Sequence, residues 1–144
     1  MPGARPLAFA LLAATAAAGC GSGATAPGPP TAEAPPPALA SRPPQPGELV
    51  FKAEGSPKTF APVALHGRYL ARFAQYDPTD PGVDFAEQTS FVARLVPVGG
   101  GAPLRLFRRA APAGETTVRA EGRYRVDVPF GDFPFAIRLT PRNG

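Results

Sequence analysis

Few residues in this 144-residue chain carry reactive side chains, and their positions limit the available chemistry. His66 is the only histidine. A serine–histidine–aspartate relay would have to join it to Ser56 or Ser90. Neither serine lies in the strand–turn–helix setting that exposes a nucleophile. Asp77, Asp80 and Asp84 gather in "YDPTDPGVD". Carboxylates spaced along a loop are the oxygen donors that calcium takes, but this spacing matches no EF-hand loop, and Asp-Pro pairs form turns. The expectation is a chain with no catalytic residue, no metal site and no cofactor.

The remaining charge is arginine. The sequence contains 13 Arg and 2 Lys, and its formal net charge is +4. Arg68 and Arg72, Arg123 and Arg125, and Arg138 each fall opposite the apolar row of their strand, and Arg94, Arg105 and Arg109 alternate in the same way. Brought together on adjacent strands, they make a cationic sheet face for lipid headgroups, an anionic polymer or an acidic protein. The excess is mild and no recognition motif accompanies it, so nucleic acid is not expected as a partner. Phe133, in "PFGDFPF", is expected at an exposed hairpin tip, where an aromatic suits ligand contact.

These residues need elements to position them, and the front of the chain supplies none. Arg5 precedes an apolar run from Leu7 to Ala18, too short to span a bilayer and suited to a cleaved leader. From Gly21 to Gly47, nine of the 27 residues are proline and only Leu39 is a large aliphatic. That composition buries too little apolar surface to offset ordering and predicts a disordered, polyproline-like spacer. The expected division is a leader over 1–19, a tether over 20–47 and a folded domain over 48–144.

Ala17-Ala18-Gly19-Cys20 resembles the lipobox of bacterial lipoproteins, with Ala17 where Leu is usual. The resemblance implies cleavage before Cys20, lipidation of its thiol, and anchoring to the outer face of a bacterial membrane. Two or three acyl chains hold a protein stably where one does not.

Beyond Gly47 the hydrophobic period is two almost throughout. Strands are predicted at 49–53, 59–65, 68–76, 90–98, 104–109, 116–120, 123–129 and 134–140. Gly- and Pro-containing turns separate them, and no segment carries a helical stripe. The pattern predicts an antiparallel β-sandwich or jelly roll of seven to eight strands. "HGRY" at His66 and "EGRY" at Glu121 echo one another, and both read as turn-glycine strand openings. Tyr124, Val126, Val128 and Phe130 are expected to face the core, with the tyrosine hydroxyls bonded to nearby backbone. The run from Glu115 to Leu139 resembles the closing strands of small β-sandwich accessory modules in secreted bacterial proteins, which implies binding or support rather than catalysis. The resulting expectation is a non-enzymatic envelope lipoprotein, anchored through Cys20, that binds or supports an envelope protein or anionic polymer. The alternative is a small-ligand, calcium- or carbohydrate-binding module.

Overall fold

The computed structural model describes residues 34–143. Cys20, the leader and the first part of the tether lie outside the described residues. Pro35–Gly144 forms one compact unit. It contains seven strands: β1 (Leu49–Ala53), β2 (Lys58–Thr59), β3 (Val63–Gln75), β4 (Ser90–Pro97), β5 (Leu104–Ala110), β6 (Ala113–Gly131) and β7 (Phe135–Arg142). The fold is all-β and antiparallel, as the alternating sequence predicts. A single sheet runs β1-β7-β3-β6-β4-β5, with β2 also paired to β6.

The sheet folds over on itself because β6 serves both halves. Its first part pairs with β3 from Ala113↔Ala74 to Tyr124↔Val63. Its last part pairs with β4 from Tyr124↔Pro97 to Gly131↔Phe91. Strands remote in the sheet order therefore meet face to face. The Phe73 ring of β3 stacks on Phe91 of β4, with centroids 4.4 Å apart, and lies 4.5 Å from Phe107 of β5. Phe91 in turn meets Phe135 of β7 edge-on at 5.2 Å. These aromatics, with Leu65, Leu95, Val126, Val128, Ile137 and Leu139, fill a core closed to solvent. Burying apolar area of this kind is the main term holding a small sandwich-like fold together.

Gly67 and Gly122 are not the turns expected of them. Each lies within a strand, at φ 100° and 119° respectively, where a residue with a Cβ is strained. The strands predicted on either side therefore merge, giving β3 of 13 residues and β6 of 19. Leu65 faces Gly122 and Gly67 faces Ala120, so the two glycines lie near one another in the ladder, close to where β6 takes on β4. Each tyrosine hydroxyl reaches back three residues. Tyr69 accepts the His66 N–H at 3.0 Å, and Tyr124 donates to the Glu121 carbonyl at 3.4 Å. The echo is one local device used twice on paired strands.

Two further expectations are corrected. Phe130 does not face the core but is 48% exposed. Between Val92↔Phe130 and Arg94↔Asp127, β6 contributes one more residue than β4, a bulge that reverses the alternation after Val128. Gly131 then approaches Phe91 so closely that a Cβ there would lie 3.0 Å from the ring. Pro129, which cannot donate to a ladder, was the sequence signal for the bulge.

The second correction concerns the end of the tether. Residues 38–48 are a strap bound to the outer face of the β1–β7 pair, not spacer. Ala38 and Ala40 are buried, and Ala40 packs with Tyr76 and Ala136. Lys52 Nζ donates to the Ala40 carbonyl at 3.0 Å. Arg138 donates to the carbonyls of Leu39, at 2.8 Å, and of Arg42. Apolar content was the wrong measure here, because charged side chains beneath the strap hold it by its backbone.

Candidate functional site

Arg138, expected on the cationic face, is 1% exposed and belongs to the strap's anchor. Its Nη1 lies 2.8 Å from the Glu48 carboxylate, which also takes Arg42 Nη2 at 2.6 Å, the Thr140 hydroxyl at 2.9 Å and the Gln45 amide at 3.0 Å. Burial alone would raise the Glu48 carboxyl pKa. Hydrogen bonds from Gln45, Thr140 and Arg138, with the Arg42 charge, outweigh it and hold the group below its ordinary value. This ionic cluster is structural, and Arg138 is removed from the candidate surface.

The other arginines separate into paired and unpaired groups. Arg72 is half-buried and lies 3.2 Å from Glu115. The two border a depression of about 360 Å³ that also contains Asp84 and Leu39. It sets one guanidinium against two carboxylates and so adds nothing to a cationic face. Arg68 is exposed, and the register sets it directly between Arg142 of β7 and Arg119 of β6. Directly opposed residues in antiparallel strands have Cβ atoms about 4.5–5.5 Å apart, and like charges so placed repel. None of the three has a carboxylate within salt-bridge distance among the described residues. Along β6 the exposed face passes through Glu121, opposite His66, before Arg123 and Arg125, which lie opposite Ala64 and Val96. The result is a cationic outer face centred on Arg142–Arg68–Arg119.

Phe133 is half-buried and stacked on Phe85, with centroids 4.1 Å apart, and its amide donates to Gln75 Oε1. The expected exposed tip is instead packed against the loop before β4. His66 lies 3.5 Å from Glu121, both exposed. Ser56 is occupied with Gly131, donating to its carbonyl at 2.9 Å and accepting its amide at 2.8 Å. Asp77 accepts the Thr79 hydroxyl at 2.6 Å and the Thr79 amide at 2.7 Å, bonds that hold its carboxyl below the ordinary range. Asp80 accepts the Gly82 amide at 2.9 Å. These two carboxylates satisfy their own turn, and among the described residues no three His, Cys, Asp or Glu gather as a metal site.

No protein-family model matches the chain, and no curated protein matches it either. The candidate surface therefore stands on geometry and charge alone. Sequence reading named Arg68 but missed Arg119 and Arg142, because only the register shows that the three are neighbours.

Proposed function

We propose that the chain is a membrane-anchored envelope lipoprotein whose non-catalytic sandwich-like domain binds another, anionic, envelope component. The observation that supports this is the exposed row Arg142–Arg68–Arg119 on adjacent strands, without an ion pair among the described residues. The leader and the Cys20 motif supply the anchor. Because the strap takes up residues 38–48, the free spacer is shorter than the sequence implies. The small-ligand alternative is weaker, since Phe133, Asp77 and Asp80 are all engaged within the fold.

Two experiments test the reading. Growth with an alkyne-tagged palmitate is expected to label the protein, and Cys20→Ser is expected to abolish the label. An unlabelled parent, or a label that survives the substitution, defeats the anchor. The strands and the strap all lie within Pro35–Gly144, so a chain beginning at Gly21 carries the whole folded unit. With polyphosphate as the anionic probe, Arg68→Glu in that chain is expected to weaken binding about tenfold, with the gap closing as salt rises. Equal binding by both proteins removes this face from consideration.

A further inference from the structure

The β4–β5 hairpin combines three features on one outer surface. Between Ser90 and Gly114 the chain carries four arginines and no carboxylate. Within that stretch, Leu95 to Leu104 ("LVPVGGGAPL") is free of charge altogether. The register orders the outward side chains into two rows across β5, β4 and β6. One runs Arg108–Val92–Phe130, and the next runs Arg105–Arg94–Asp127. A depression of about 470 Å³ lies among Val92, Arg94, Pro103, Arg105 and Arg108. Arg94 is held by Asp127 at 2.7 Å, whereas Arg105 and Arg108 have no ion pair among the described residues. Phe130 and, at the turn, Val98 are among the large hydrophobics most exposed to solvent, at 48% and 44%.

We infer that this hairpin docks on an anionic phospholipid surface, with Arg105 and Arg108 on lipid phosphates and the charge-free turn around Val98 in the headgroup layer. Charge complementarity selects the occupant. Unpaired guanidiniums beside an uncharged, partly apolar turn match an interface that is negative outside and apolar beneath. Arginines on an edge strand also discourage edge-to-edge pairing, and β5 is an edge. That role accounts for charge on β5 but not for the exposed Phe130 or the lack of any acidic residue on the hairpin. The inference goes beyond the envelope reading and needs neither Cys20 nor Arg68.

The test is cosedimentation of the Gly21–Gly144 chain with vesicles of phosphatidylcholine alone and of phosphatidylcholine mixed with phosphatidylglycerol. Binding is expected only to the mixed vesicles and is expected to fall as salt rises. Arg105→Ser and Arg108→Ser are each expected to weaken it about fivefold, the equivalent of about 1 kcal/mol per basic side chain at a membrane surface. Val98→Asp, at an exposed turn where folding is not at stake, is expected to weaken it as well. Arg68→Glu is expected to leave it unchanged, which separates this surface from the polyphosphate face. Equal binding to neutral vesicles, no binding to either, or indifference to all three hairpin substitutions would overturn the inference. So would displacement by millimolar inorganic phosphate, which would mark a small-anion site rather than a membrane surface.

Discussion

Replacing Arg138 by Met is expected to destabilise the domain by about 3–5 kcal/mol, because it leaves a buried carboxylate without its buried partner. Glu48 has a side chain closed to solvent, and Arg138 is nearly so. Removing the guanidinium also strips donors from the Leu39 and Arg42 carbonyls. Hydrogen exchange is therefore expected to accelerate in residues 38–48 beyond what the fall in global stability explains. The paired substitution Arg138→Met with Glu48→Met is expected to cost less than Arg138→Met alone, since it leaves no buried charge uncompensated and Arg42 is part-exposed and free to turn to water. A double variant clearly less stable than the single one would refute the account of the cluster.

The same cluster predicts an acid response. The folded Glu48 carboxyl titrates below its ordinary value of 4.5. A group with a depressed folded pKa contributes stability that is fully present above the unfolded value and is lost as pH falls through the folded one. The strap is thus expected to hold at neutral pH and to loosen only below the ordinary glutamate range. Glu48→Gln is expected to be less stable at neutral pH and to show a flatter acid limb in its melting profile.

Replacing Phe91 by Ala is expected to be comparably damaging, at about 3–5 kcal/mol. In a domain of this size that lowers Tm by roughly 15–25 °C. Phe91 is fully buried and touches Phe73, Phe107 and Phe135, which come from three other strands. It joins the two halves of the folded sheet, so the cavity left by truncation cannot collapse around one side alone. Phe130→Ala, one strand away and exposed, is the control and is expected to change stability by less than about 1 kcal/mol. Similar losses at the two positions would mean that the halves do not pack as described.

Local pattern carried the fold class, because period-two alternation belongs to the chain itself and needs no partner to be read. It located every strand of the sheet except the two-residue β2, which it ran together with the start of β3, and it set Phe91, Leu95, Val126, Val128, Phe135, Ile137 and Leu139 inward. It could not tell a turn glycine from a glycine within a strand, so β3 and β6 were each divided in two. Nor could it see the bulge at which Phe130 changes face, although Pro129 marked the place.

The candidate surface was harder to read, because alternation says only that a residue lies opposite the core. Whether that opposite face is wet depends on what else covers it. Arg138 and Arg68 look alike by this criterion, yet one is enclosed by a strap that precedes it by about a hundred residues and the other lies in the open. The composition of "PALASRPPQPGE" argued against folding because it measured apolar area. The strap is fixed instead by hydrogen bonds from Lys52 and Arg138 to its carbonyls. Sequence alone determined the strand pattern, the leader-like start and the supply of arginines. Tertiary structure decided which arginines are buried, paired or free, because register and coverage are set by contacts between residues far apart in the chain.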